Sequence, residues 1–365
     1  MRSQQLINHR GSGYYVPNPV PSVGRQHILF LFYSEQPLLP TSQTDHVFIR
    51  ALEQECLRRS VHLDCATIRK SPRGVEVHWP EDARPPFSRI PDNCAGIVYL
   101  VNWEKSINAP VFSWLAHAGI PVSIVDWLGA LEMRGALSRK KDVQWIHSKA
   151  GYAAGIDMGK LLCGLGHRRI ALFSPYADSR AEGIYKGISH ACSVVPFFQQ
   201  QVRSVHELET HAIKKSKRLR SVIESNPPGI PRAFSAARET LVRSSFDVYI
   251  EAVLYSLLEP SFEQALADRK ITAWVGVDDS VALMLWSYLR AQGKTIPDDI
   301  SIAGFDNSFA SLTKDITSYD FAFPAIAASA LYFLLWPQSA SRSRQLVTPE
   351  IEGSIVMRGS TARIS

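Results

Sequence analysis

The sequence predicts an α/β protein made of two doubly wound parallel-sheet lobes. Three observations lead there. Continuous apolar runs alternate with amphipathic stretches along most of the chain, and connections of a few residues join them, which is the pattern of βαβ units. The apolar runs read as strands buried on both faces, as in a parallel sheet covered by helices. The chain has 365 residues, too many for one such sheet, whereas two similar halves fit about 100–200 residues per domain.

The elements follow in order. HILFLFY (27–33) is an aromatic-rich run suited to a fully buried strand. DHVFIRALEQECLRRS (45–60) sets Phe48, Leu52 and Cys56 four residues apart on one helical face, with Ile49 beside them. HLDCATI (62–68) reads as a strand, AGIVYLV (95–101) as another, APVFSWLAHAG (109–119) as a helix and PVSIVD (121–126) as a strand. A helix over 149–166 closes at Gly166, a strand covers 169–174, and a helix crosses 180–193. ITAWVGV (271–277) is a strand, DSVALMLWSYLRAQG (279–293) a helix stopped by glycine, and ISIAGFD (300–306) a strand. Residues 196–270 carry no clear pattern. The basic runs 214–220 and 139–141 read as solvated faces before nucleic-acid patches.

Composition narrows the class. A chain 45% hydrophobic and 20% charged is not disordered as a whole. No stretch reaches the roughly 18–20 unbroken apolar residues of a membrane span. The N-terminus has no apolar h-region or cleavage site, so a cytoplasmic protein without a membrane partner is expected. A formal charge of +6 permits an anionic partner without requiring one. The five cysteines are scattered, none in a CxxC pair, and suit neither a disulfide framework nor a zinc site. His46, His147 and His167 show no metal spacing, and neither a metal nor a cofactor is expected.

Residues 271–308, ITAWVGVDDSVALMLWSYLRAQGKTIPDDISIAGFDNS, resemble the effector-binding core of the LacI/GalR regulators. That core has a strand, an Asn-Asp or Asp-Asp pair opening a helix, then G-x-x-x-P-x-D-I-S-I-x-G-F-D. LCGLGHRRIALFS (162–174) is similar to the family's L-G-H-R-R-I-A segment, and EIEGSIVMRGSTARIS (350–365) to its closing Arg-Gly-Ser-Thr end. The resemblance covers roughly residues 25–365 and is thinnest at 35–45 and 195–265. It implies a periplasmic-binding-protein-like fold of type I, with a ligand cleft between the lobes. LINHRGSGYYVPNP (6–19) resembles the end of a GntR-type winged helix, where a β-hairpin wing carries Arg10, Gly11, Gly13 and Tyr14. The glycines permit the tight turn, and the arginine can approach phosphates or the minor groove. Such a domain needs roughly 50 further residues upstream, including the helix that enters the major groove. Residues 1–16 are therefore read as a wing remnant, 17–24 as a Pro/Gly linker and 25–365 as the ligand-binding domain. The division places lobe 1 at about 25–166 and 322–340, and lobe 2 at about 167–321 and 341–365.

The resemblance points to Asp306, at a strand's carboxyl end, as a hydrogen-bond acceptor for ligand hydroxyls; a carboxylate accepts two such bonds and suits vicinal diols. An Asx-turn is the competing reading. Asp278 takes the position that usually faces ligand, and Asp279 is read as the helix N-cap. The family's arginine in the next helix falls here on Ile184, and Arg180, one turn earlier, is either its substitute or a solvated surface residue. Lys149 and Ala150 replace a frequent Asp-Asn. Tyr33, Trp127, Tyr319 and Phe321 are either stacking platforms for a sugar's C–H face or core. Trp274 and Trp286 are read as packing or dimer-face residues.

No G-x-S-x-G elbow, P-loop or G-x-G-x-x-G after a strand occurs, so an enzyme is not expected. The expected function is a ligand-responsive transcriptional regulator, a repressor, with a sugar or sugar derivative as effector, operator DNA as partner and a homodimeric state. The alternative is a stand-alone cytoplasmic binding module. A periplasmic solute-binding protein lacks support because no signal sequence is present.

Overall fold

The computed structural model describes residues 7–8, 14–15, 26–34, 43–71, 74–78, 90, 93–102, 105–126, 137, 140–147, 151–174, 179–198, 258–336 and 351–364. β1 (Ile7–Asn8) and β2 (Tyr14–Tyr15) form a short antiparallel ladder with Ile7 opposite Tyr15. The remaining strands build two six-stranded sheets.

In the first lobe, β3 (His27–Tyr33) is followed by α1 (Gln43–Arg58), β4 (His62–Ser71), β5 (Gly74–His78), β6 (Cys94–Leu100), α2 (Lys105–Leu115), β7 (Val122–Asp126) and β8 (Val143–His147). The strand order is β5-β4-β3-β6-β7-β8, and every pairing is parallel except β4 with β5. Side chains of β3 alternate between two cores, as the twofold period of a strand dictates. Ile28, Phe30 and Phe32 join α1, and Leu29 and Leu31 join α2. That two-sided burial is why the run is continuously apolar.

The second lobe contains α3 (Tyr152–Gly164), β9 (Arg169–Ser174), α4 (Ser179–Gly187), β10 (Ser193–Phe198) and α5 (258–267). It continues with β11 (Ala273–Gly276), α6 (Asp279–Ala291), β12 (Ser301–Phe305), α7 (Phe309–Thr313) and β13 (Thr317–Asp320). The chain then crosses to α8 (Phe323–Leu335), which packs on β6, β7 and α1 of the first lobe, and returns through β14 (Ser354–Val356). The order is β10-β9-β11-β12-β13-β14, parallel except for β13 with β14. Two doubly wound lobes are thus present, each sheet mixed by one antiparallel edge strand.

Several boundaries differ from the sequence reading. The helix expected across 180–193 stops at Gly187, and β10 starts at Ser193. β10 carries Pro196, a residue that suits an edge strand because it donates no ladder hydrogen bond. α2 starts at Lys105, so Pro110 lies inside it and removes the bond to the Ser106 carbonyl. The helix near 150–164, grouped with lobe 1 by the division at 166, packs against α4 and β14 of the second sheet.

Glycines make the α3–α4 contact. A Cβ on Gly155 would land on the Arg180 carbonyl oxygen, and one on Gly183 on the Tyr152 carbonyl oxygen. Gly159 faces the Ile184 carbonyl, and Gly187 faces that of Ile156. The two Gly-x-x-x-Gly faces therefore pack backbone to backbone, which fixes where the first turn of α4 points. A run of aromatic contacts joins the lobes: Phe305, Tyr319, Phe321, Phe323, Phe48 and Phe30, with successive ring centroids 5.4–6.3 Å apart. It passes through the crossover at 321–322, where Ala322 has φ +56°.

Candidate functional site

The second sheet presents Asp306 and Arg180 together at its carboxyl edge. Asp306 immediately follows β12, and Arg180 lies in the first turn of α4, which the glycine contact presses onto α3. Arg180 Nη1 is 3.5 Å from Asp306 Oδ1, and both side chains are buried. The guanidinium also sits over the Phe305 ring, 5.7 Å from its centroid, a cation–π arrangement. Burial removes the solvated-surface reading of Arg180. At 3.5 Å the pair is looser than the 2.7–2.9 Å typical of a charge-assisted bond. A guanidinium carries five N–H donors and a carboxylate two acceptor oxygens.

The backbone that carries Asp306 is strained, with φ +103° at Asp306 and +47° at Asn307. Such conformations cost about 1–3 kcal/mol each and persist where the surroundings over-determine them. Here they do. Asp306 N–H donates to the Tyr319 carbonyl (3.0 Å) and Asn307 N–H to Ser318 Oγ (2.9 Å). Asn307 Nδ2 donates to Asp320 Oδ2 (2.9 Å), and Ser308 N–H donates to Asp279 Oδ2 (2.7 Å).

The capping role assigned from sequence to Asp279 falls instead to Asp278. Asp278 is the N-cap of α6, its Oδ1 accepting from Val281 N–H at 2.8 Å. Asp279 is buried and accepts from both Ser308 N–H and Ser318 Oγ–H at 2.7 Å. Burial pushes its carboxyl pKa up, and those hydrogen bonds offset part of the rise. Asp279 therefore ties α6 to the turn after β12 and to β13. The helix register decides which aspartate caps, because the residue just before the first helical one is Asp278.

The Arg-Gly-Ser-Thr end is a structural latch. Arg358 donates to the Ile316 carbonyl (2.7 Å) and to Asn307 Oδ1. Ser360 Oγ accepts from Thr317 N–H (2.7 Å) and donates to the Ile302 carbonyl (2.6 Å). Thr361 and Thr317 share a hydroxyl contact at 2.8 Å. The tail thus braces the turn holding Asp306 from behind. His167 is also structural: buried, with Nδ1 2.9 Å from Thr272 Oγ1 and its pKa lowered by burial.

The remaining expected residues fall in several places. Tyr319 is buried in β13 between Phe305 and Phe321, and its hydroxyl pKa is pushed up to about 12 by burial and by Asp157. Phe321 is likewise core. Tyr33 ends β3 half-buried at the carboxyl edge of the first sheet. Trp274 is fully buried, which settles it as packing, and Trp286 carries Lys314 over its ring at 4.9 Å. Ile184 is fully buried on the inward face of α4. Tyr14 pairs with Asn8 in the β1–β2 ladder. Trp127, Lys149, Ala150, Arg10, Gly11 and Gly13 lie outside the described residues. Sequence reasoning missed Ser34, Asp126 and His147 as carboxyl-edge residues of the first sheet, where Asp126 and His147 stand opposite each other at the ends of β7 and β8 and Ser34 follows β3. Ser34 and Asp126 are buried, and His147 Nδ1 is 3.4 Å from Asp126 Oδ2. The signal available was a polar residue closing each apolar run.

Comparison with known proteins agrees with this architecture. Residues 236–361 match the family of periplasmic binding protein-like domains. Over 54 residues the chain is 43% identical to the arabinose metabolism transcriptional repressor of Geobacillus stearothermophilus, a match covering 14% of this chain and 15% of that one. The chain therefore spans 15% of the length of the curated relative it matches. A LacI family transcriptional regulator from Enterococcus faecium with bound ribose superposes with a TM-score of 0.53 at 15% identity, covering 93% of this chain and 100% of that one. The lac repressor dimer bound to operator and the anti-inducer ONPF gives 0.53 at 14%, covering 95% and 99%. At these identities the likeness is one of fold, and it places the chain among two-lobed α/β proteins of the periplasmic-binding-protein-like kind. Among the described residues, no helix is long and apolar enough to cross a membrane.

Proposed function

We propose that this chain is the sensor of a ligand-responsive transcriptional repressor whose effector is a sugar or sugar derivative. The observation that carries the reading is the buried Arg180–Asp306 pair at the carboxyl edge of the second sheet, where open parallel sheets bind their ligands. A guanidinium and a carboxylate side by side offer donors and acceptors to adjacent hydroxyls. Asp278, Tyr33 and Trp127 are the further ligand contacts of the proposal; Tyr319, buried as it is, would serve as packing behind them. Solved structures of the same fold include one with bound ribose and one bound to operator as a dimer, and the curated relative is a repressor of arabinose metabolism. Those properties motivate operator DNA and a homodimer as partners here. DNA contact would run through Arg10, Gly11, Gly13 and Tyr14 of a winged-helix segment. The effector would act by favouring one lobe arrangement over the other, since only differential affinity moves such an equilibrium.

The test is thermal melting of the purified chain against a panel of pentoses, hexoses and sugar acids. A ligand that binds only the folded state raises the midpoint by mass action. Asp306→Asn keeps a residue that tolerates positive φ while removing the charge, and should weaken the responding sugar by about 10–100-fold, the loss of one charged hydrogen bond of about 1.5–3 kcal/mol. A cooperative melt unmoved by every sugar would sink the reading. So would a response that Asp306→Asn leaves intact.

A further inference from the structure

The opposite end of the first sheet carries a cluster with different chemistry. His27 opens β3 and His62 opens β4, and the parallel register sets them directly opposite each other. Asp64 follows two residues after His62 and so shares its face. His27 Nδ1 lies 2.8 Å from Asp64 Oδ2, and His62 Nε2 lies 3.3 Å from Asp64 Oδ1. One donor atom from each of the three residues falls within 4.8 Å of the others. The two imidazole rings stand edge to face, with centroids 5.0 Å apart.

We propose that His27, His62 and Asp64 form a binding site for a borderline divalent transition ion, with Zn2+ the best fit. Two imidazole nitrogens and one carboxylate oxygen are the donor set that such an ion selects over Mg2+ or Ca2+. Bonds of about 2.0–2.2 Å in a tetrahedral site set donors roughly 3.3–3.5 Å apart. The two His–Asp separations lie at or just below that value, and the three donor atoms all lie within 4.8 Å of one another, so side-chain rotations close the triad on an ion. The backbone beneath is held: His27 N–H donates to the Asn93 carbonyl (3.1 Å) and His62 N–H to the Gln26 carbonyl (3.0 Å). The side chains are partly open, with His62 56% exposed, so an ion has an entry path and a fourth position for water. Cys94, opposite His27 on β6, donates its thiol to the Gly96 carbonyl at 3.3 Å and stays outside the triad. On binding, both nitrogens give their lone pairs to the ion, and any protons they carry are released to solvent.

The site is independent of the effector reading. It sits at the amino ends of the strands, whereas Tyr33 and Asp126 close the carboxyl ends. An ion here would pin the start of β3 to β4, at the point where the chain enters the lobe from the segment before it. Metal occupancy would thus be a second input, separate from the carboxyl-edge site.

The experiment uses the whole chain, stripped with chelator and dialysed, then titrated with ZnCl2 by calorimetry and with CoCl2 by visible absorption. The expected result is one saturable Zn2+ per chain at this site, visible ligand-field bands with Co2+, and a melting midpoint raised by Zn2+. His62→Ala and Asp64→Asn should each weaken binding by at least roughly 10–100-fold, since losing even an outer hydrogen-bond partner of a ligand costs that much. Each variant's melt in metal-free buffer reports whether it is folded. His117→Ala, an exposed histidine on the turn after α2, should change nothing. Absence of stoichiometric uptake would overturn the site and leave a plain hydrogen-bonded His–Asp–His group. Uptake that survives in both folded variants would equally overturn it.

Discussion

The two lobes hold their carboxyl edges by different means. In the second, the turn carrying Asp306 is fastened by polar groups from three other segments: Asp279 on α6, Ser318 and Asp320 on β13, and Arg358 in the tail. In the first, the strands are held mainly by alternating apolar layers. Buried polar ties there include Tyr99 Oη–H to Asn108 Oδ1 at 2.6 Å and Ser123 Oγ–H to the Ala330 carbonyl at 3.1 Å. A charged, strained turn needs directional bonds to keep its geometry, whereas a buried strand needs only complementary volume. The turn at Asp306 is thus held by directional bonds, and the strands of the first sheet by packing.

The helix contacts show the same contrast and give the largest expected effect. Gly155 meets backbone on α4, which cannot move aside. Gly96 in β6 meets the Leu334 side chain, whose Cδ2 would lie 2.8 Å from an added methyl, and the Pro121 carbonyl oxygen only at 3.0 Å, against 2.0 Å to the Arg180 carbonyl at Gly155. Alanine at 155 gains about 1 kcal/mol of helix propensity, but it must push α3 and α4 apart. Gly155→Ala should therefore cost more than the roughly 1–3 kcal/mol of ordinary overpacking, and Gly96→Ala should stay within that range. Urea unfolding midpoints compare them. Equal losses would break the distinction between the lobes. Gly155→Ala should also weaken the effector response, because α4 positions Arg180.

A smaller pair of changes probes the polar ties. Ser360→Ala strands the buried Thr317 N–H and frees the Ile302 carbonyl, for a loss of about 1–3 kcal/mol. Ser123→Ala removes one longer bond to a helix carbonyl, for about 0.5–1.5 kcal/mol. The reverse order in denaturant melts would show that the tail latch adds little to its lobe.

Smaller again is a pH effect from Asp279. Its folded pKa is raised above the ordinary carboxylate value, chiefly by burial. Between the ordinary and the raised value the folded state binds more protons than the unfolded one, so stability falls as pH rises through that window. Asp279→Asn should remove this component, so that stability rises more steeply with pH across that window on the acid limb of a stability–pH curve. A curve unchanged in shape would show that the two serine bonds cancel the burial.

How far the sequence revealed all this follows the same division. The second lobe was readable because its motifs are made of the latch residues themselves: the Asp-Asp pair, G-F-D-N-S and Arg-Gly-Ser-Thr name the groups that fasten the turn. Their roles were less readable, since capping depends on a one-residue helix register, and Asp278 and Asp279 differ by just that. β5 and β10 are short edge strands, and β10 is interrupted by Pro196, so neither shows a buried run. The Gly-x-x-x-Gly spacing at 155–159 and 183–187 was visible in the chain, although nothing in either segment alone says that they pair. His27 and Asp64 lie 37 residues apart; only the parallel register of β3 with β4 brings them together, and a pattern search along one segment cannot see that.

The crossover between the lobes offers the smallest and most local test. Ala322 occupies the left-handed region at φ +56° as the N-cap of α8, without a side-chain capping bond. A non-glycine residue there costs roughly 1–2 kcal/mol, while glycine adds unfolded-state entropy worth about 0.4–1 kcal/mol. Ala322→Gly should therefore be neutral or stabilising by up to about 1 kcal/mol, a change visible as a slight rise in urea midpoint. Its neighbours Phe321 and Phe323 keep the aromatic run intact on both sides. The effector response should then persist with little change in affinity. A marked loss of stability would instead mean that the alanine methyl packs at the crossover and helps hold the two lobes in register.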